Sequence, residues 1–422
     1  MLKQGMQGSI GVALRAVLVA VCLAAIVPSS ALAKQKTLTF LTWNISDQAE
    51  LFKEWKVEFK KIRPDVTVKW IDKKGTVLPA YYQTQIIAGT PPDIVELQGA
   101  LWLQYAAPGG LVDLTPYLAK EPDVRRRFDA NYLDGWTYQG KNYMLPFYIN
   151  KTLLFYNKTM FKEAGLAGPP QSFDQLMAYA EKMSKGDKTG FITLNFDWLY
   201  WPLFKMNGVE LLTPDLKKAA FNTPLAVQVL DKLAKVTSNG GINKISWTGR
   251  WVEPNGAFAS GNVGMFVAHS PAFFFIRGQG PWINANTLGV ANLPGGWATP
   301  NSHGFAISKG SKNPEIAWEF LKMVTSQRWA EQLSLRAFKL TGNIAADKTA
   351  LAKMKAEDPL AAAVLQTQLE QTDKLTGNWR LGNDARLKEA FYPEIQNAVL
   401  GRKTAAEALK DAEVKVNRVL GR

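Results

Sequence analysis

Cysteine is nearly absent from this chain. Cys22 is the single one among 422 residues, and it lies inside an apolar N-terminal stretch. If that stretch is a removable leader, the remainder has no disulfide, no thiolate nucleophile and no cysteine metal site. Histidine is almost as scarce. His269 and His303 are the only two, too few to build a metal centre by themselves, so neither a metal nor another cofactor is expected. There is no G-x-S-x-G, no H-E-x-x-H and no P-loop. No internal repeat or low-complexity tract appears, and after the N-terminus no run is long and apolar enough to span a bilayer.

The N-terminus reads as an export signal. Lys3 and Arg15 supply positive charge, Ala16 to Val27 is a short apolar run, and Ala31-Leu32-Ala33 is an A-x-A site. Residues 1–33 are therefore expected to be cleaved, leaving a protein that works in the periplasm or outside the cell. A membrane anchor is the competing reading, and the run is short for it. Lipidation of Cys22 is disfavoured because Val21, not a small residue, precedes it. The formal charge of +14 falls to +12 when Lys3 and Arg15 leave. The remaining charge is scattered, with clusters no longer than Arg125-Arg126-Arg127. It reads as a solvated basic surface, not a nucleic-acid site.

What is abundant is apolar and aromatic: 47% apolar residues, with 14 Trp, 12 Tyr and 21 Phe. That fills the cores of two domains. Thr37 to Trp43 alternates as a strand, a helix follows from Gln48 to Lys61, and Val66 to Trp70 is a second strand. Thr84 to Ala88 ends a helix, Gly89 suits a left-handed cap, and Pro91-Pro92 forbid continuation. Ile94-Val95 then opens a buried strand. Strand–helix repetition of this kind predicts a parallel sheet covered by helices. Ligands collect at the carboxyl ends of such strands. A second series of elements begins with a helix capped by Ser172, and Thr223-Pro224 caps another. Gly304 to Ile307 is a strand, and helices run from Pro314 to Thr325, Gln327 to Arg336 and Thr404 to Leu420.

Thr84 to Val95 resembles the helix–strand signature of the extracellular solute-binding proteins of ABC importers, in the branch that includes the maltose-binding proteins. Leu154-Phe155-Tyr156-Asn157-Lys158 with Phe161 to Leu166 looks like the family's most quoted pattern. Ala257 to Met265, Ala317 to Leu321 through Thr341-Gly342-Asn343, and Gly401 to Ala412 are similar to three others, in the right order. The resemblance implies the type II periplasmic binding protein fold, an α/β architecture of two parallel-sheet lobes joined by a hinge that the chain crosses three times. The crossings fall near Tyr148, Ser302 and Thr341. One lobe is then 34–147 plus 303–340, and the other 148–302 plus 341–422. The implied function is to bind a sugar, glycoside or polyol between the lobes and, on closure, deliver it to the importer's membrane subunits. The partners are that small ligand and those subunits, and the protein is expected to be a monomer.

A sugar offers an apolar face and a rim of hydroxyls, so its site needs aromatic rings and paired hydrogen-bonding side chains. Positions matching the family's ligand contacts are Trp43, Asp47, Gln98, Trp102, Tyr148, Asn150, Asp197, Trp198, His269, Phe274, His303 and Trp379. Each has a plainer alternative: core packing for the rings, an N-cap for Asp47, hinge packing for Tyr148 and Asn150. Gln98 and Asn150 stand where family members carry acids, which implies a hydroxyl pattern other than that of maltose. An enzyme such as a glycosidase needs two carboxylates across a bond, and the pairings here are aromatic and amide-rich, so no enzymatic activity is expected. A polyol phosphate or another non-sugar solute is the alternative ligand. A phosphate would want an arginine at the cleft, and Arg250, Arg336 and Arg380 are the candidates.

Overall fold

The computed structural model describes residues 35–43, 48–99, 101–194, 197–248, 250, 252–376, 379 and 381–421, without side-chain detail for 197–200. The first sheet starts from the alternating apolar run of β1 (Lys36–Trp43), which pairs in parallel with β2 (Val66–Lys73) and β3 (Ile94–Gln98). Helices Ala49–Ile62 and Leu78–Ile87 make the crossovers. Gly89 has φ +68° just beyond the second helix, the left-handed residue that stops it. Asp93 then ties the strands together. Its carboxylate accepts from the Thr39 N–H and hydroxyl, both at 2.7 Å, and from the Ser311 hydroxyl at 2.6 Å.

A two-residue hairpin, β4 (Thr137–Tyr138) and β5 (Lys141–Asn142), precedes β6 (Leu145–Tyr148). The second sheet contains β7 (Thr152–Asn157), β8 (Thr189–Ile192), β9 (Val263–His269) and β10 (Leu288–Ala291). Their order is β10-β7-β9-β8. The chain then returns to the first sheet as β11 (His303–Ile307), giving the order β2-β1-β3-β11-β6.

The sequence predicts parallel sheets, and both sheets are mixed. β11 runs antiparallel to β3 and β6, and β7 antiparallel to β9 and β10. The reason is where the chain enters. It reaches the first sheet from the other lobe at the edge where β3 and β6 end, so β11 must run away from that edge. Periodicity marks a strand but says nothing about its direction.

Each sheet is covered on both faces. Phe40, Trp55, Phe147, Phe305 and Phe320 share one side of the first sheet, and Leu41, Tyr82, Val95 and Ala306 the other. In the second sheet Leu154, Met265 and Val267 alternate with Leu153, Phe155 and Phe266 between two cores. The chain beyond Leu340 packs against the second sheet through helices Ile344–Glu357, Pro359–Leu369, Asp384–Val399 and Ala405–Leu420. Ser172 and Thr223 cap their helices through their side chains. Among the described residues, no helix is long and apolar enough to cross a membrane.

Candidate functional site

Three chain segments run side by side between the sheets. Ile149 N–H donates to the Leu340 carbonyl at 2.7 Å, Asn301 N–H to the Asn150 carbonyl at 2.8 Å, and Thr152 N–H to the Thr299 carbonyl at 3.0 Å. At this junction β3 and β6 end, β7 and β11 begin and β9 ends. The termini of five strands from two sheets therefore converge on one seam, the place where an open α/β sheet binds ligands.

On the first sheet's side the register sets Gln98 and Tyr148 on either side of His303. The Tyr148 ring stacks on the His303 imidazole with centroids 4.4 Å apart, and the Trp43 ring meets that imidazole edge-on at 5.1 Å. The Lys339 ammonium stands 4.5 Å over the Tyr148 ring. Beneath lies Glu96, fully buried. Its carboxylate accepts from the Trp43 N–H at 3.1 Å and lies 2.7 Å from His303 Nδ1. Burial pulls the His303 pKa down, with Lys339 adding to that and Glu96 opposing it. The Gln98 amide reaches the Asn301 side chain at 3.4 Å.

On the second sheet's side His269 is buried opposite Thr152. Burial pushes its pKa down to about 3, so the ring is neutral at pH 7. A cavity with room for about one water opens at the crossings, lined by Tyr132 and Leu340, by Asn150 and Lys151, and by Gln368 and Thr372. Both amide atoms of Asn150 and the Gln368 Nε2 are buried there without a hydrogen-bond partner among the described residues. Lys151 donates to the Glu370 carbonyl, and burial lowers its pKa to about 8.

Trp43, Gln98, Tyr148, Asn150, His269 and His303 thus come together at the seam. Phe274 is half-buried on the helix Ala272–Gln279, which follows β9. Two rings sit elsewhere. Trp102 is buried against Trp136 at 5.9 Å and Tyr143. Trp379 is 1% exposed, edge-on to Trp201 at 5.6 Å in the second lobe's core. Both are enclosed by rings of the surrounding core. Asp47 lies outside the described residues, as do residues 1–34 with Cys22. Asp197 and Trp198 fall in the helix Asp197–Lys205, but their side chains are outside the description. Glu96, Lys151, Lys339 and Gln368 are the members that sequence reasoning missed. Only Glu96 gave a signal, as a charged residue closing an apolar strand.

The family described as bacterial extracellular solute-binding protein matches residues 43–331. The diacetylchitobiose binding protein of Streptomyces coelicolor is 24% identical over 395 residues, covering 88% of this chain and 86% of that one. The mannitol-binding protein of Pseudomonas aeruginosa is 31% identical over 186 residues, 42% of this chain and 39% of its own. An ABC substrate-binding protein from Listeria monocytogenes, solved with cycloalternan, superposes with a TM-score of 0.80 at 22% identity, over 92% of this chain and 99% of that chain.

Proposed function

Because this chain belongs to the family of bacterial extracellular solute-binding proteins, we propose that it captures a sugar, glycoside or polyol between its lobes and passes it to the membrane subunits of an ABC importer. The observation that carries the reading is the seam itself. It joins a Trp43–His303–Tyr148 ring cluster to the buried amide atoms of Asn150 and the Gln368 Nε2, which have no hydrogen-bond partner among the described residues. Rings for a sugar's apolar face and amides for its hydroxyls are the two components such a ligand requires. The relatives named for diacetylchitobiose and mannitol point the same way.

The lobes in this reading are 34–147 with 303–340, and 148–302 with 341–422. They close by bending at the three crossings. Trp43, Gln98, Tyr148, Asn150, His269 and His303 contact the ligand, with Phe274, Asp47, Asp197 and Trp198 at the rim. The leader ends after Ala33, and the mature protein works outside the cytoplasm as a monomer. It binds without transforming its ligand.

A phosphate-bearing ligand fits less well. Arg250 donates to Glu253 at 3.0 Å and Arg336 to Glu54 at 2.7 Å, both on exposed side chains. Arg380 lies outside the described residues. Intrinsic tryptophan fluorescence of the mature chain, titrated with diacetylchitobiose, maltose, mannitol and a polyol phosphate, tests the proposal. A saturable change with a neutral sugar or polyol, weakened by Trp43→Ala, supports it. A response to the phosphate alone replaces it with the non-sugar reading.

A further inference from the structure

The Glu96 carboxylate is fully buried, and a carboxylate only accepts hydrogen bonds. One of its oxygens takes the Trp43 N–H and the other faces His303 Nδ1, so the single proton of a neutral imidazole resides on Nδ1. Nε2 is left with its lone pair, and it has no hydrogen-bond partner among the described residues. The ring is clamped in this pose by Tyr148 on its face and by the edge-on Trp43 ring. Turning it over would put a carbon against a buried carboxylate.

We propose that His303 is a specificity residue of the cleft that presents Nε2 as a hydrogen-bond acceptor, so that the ligand must offer a hydroxyl or N–H donor there and not a phosphate or carboxylate, with Glu96 as the positioning residue. This deepens the functional reading above and rests on it. An anionic oxygen at that place meets a lone pair with the Glu96 charge behind it, and burial leaves that charge poorly screened. A sugar or polyol hydroxyl instead donates to Nε2. Among the described residues, the charged and titratable groups around the imidazole are Glu96 on β3, Tyr148 stacked on its face, Lys339 at the third crossing and neutral His269 at the end of β9. Acid that protonates His303 turns Nε2 into a donor, so affinity falls with falling pH.

With only two histidines, the protein labelled with ¹⁵N in its imidazoles gives a two-bond ¹H–¹⁵N spectrum assignable with the single variant His269→Gln. The free protein is expected to show His303 with hydrogen on Nδ1 and a bare Nε2, and Glu96→Gln to mix the two tautomers. Saturation with whichever of diacetylchitobiose, maltose or mannitol responds by fluorescence moves the Nε2 resonance upfield. His303→Phe lowers that sugar's affinity about tenfold, and His303→Gln, whose amide oxygen accepts, recovers most of the loss. A hydrogen on Nε2 in the free protein, or an unmoved Nε2 at saturation, overturns the inference while leaving the sugar-binding reading intact. A phosphate ester that binds more tightly than its parent sugar also overturns it. If none of these sugars binds, the functional reading fails first and this one with it.

Discussion

Asn150 shows how the account works at the level of one residue. The residue is 1% exposed, and neither amide atom has a hydrogen-bond partner among the described residues. An unmade buried hydrogen bond costs about 1–3 kcal/mol, a cost expected where a ligand or water completes the bond. Asn150→Leu should therefore split two readouts: sugar affinity falls tenfold or more, while the thermal midpoint holds or rises. A drop in the midpoint with unchanged affinity would make Asn150 a packing residue. His269 makes a prediction about acid. Burial holds its folded pKa near 3, below the ordinary value of about 6.5. Between those values the unfolded chain binds a proton that the folded chain refuses, so stability is full above about pH 6.5 and declines as pH falls. The slope approaches 1.4 kcal/mol per pH unit. Denaturant melts at pH 7, 5 and 4 should show this decline, and His269→Gln should make it shallower, leaving the part that His303 contributes.

At the scale of elements, much was legible because local chemistry decides it. Alternation gave β1, Pro91-Pro92 with Gly89 gave the stop before β3, and Ser172 and Thr223 gave helix starts. Strand direction was not legible, since it depends on the edge at which a chain returning from the other lobe enters the sheet. Two of the ring assignments, Trp102 and Trp379, could not be separated from core packing for a related reason. A tryptophan after a strand reads the same whether it stacks on a ligand or, as at Trp102 and Trp379, fills a core. Glu96 and His303 are 207 residues apart in sequence, so nothing local reports their pairing. One close approach is open to test. A Cβ on Gly190 in β8 would come within 1.8 Å of the Ala180 carbonyl oxygen in the helix Phe173–Met183. Gly190→Ala should force that helix off the sheet and cost about 1–3 kcal/mol or more. Denaturant titration measures the loss, and sugar affinity per folded molecule should stay unchanged.

The described residues build two large sheets, each buried on both faces, and one two-stranded hairpin, and the strand ends of the large sheets meet at one seam crossed by three chain segments. This arrangement suits capture by closure. Backbone hydrogen bonds hold the crossings, while the seam carries the rings and the buried amides. The central claim is that a neutral polyhydroxylated ligand binds at this seam and leaves unchanged. Calorimetric titration of the mature chain with diacetylchitobiose, maltose and mannitol, followed by recovery of the ligand, tests it most directly. The account predicts a one-site isotherm for at least one of them, abolished or weakened by Asn150→Leu, with the ligand recovered intact. No heat from any neutral sugar or polyol, or recovery of a cleaved product, would contradict it.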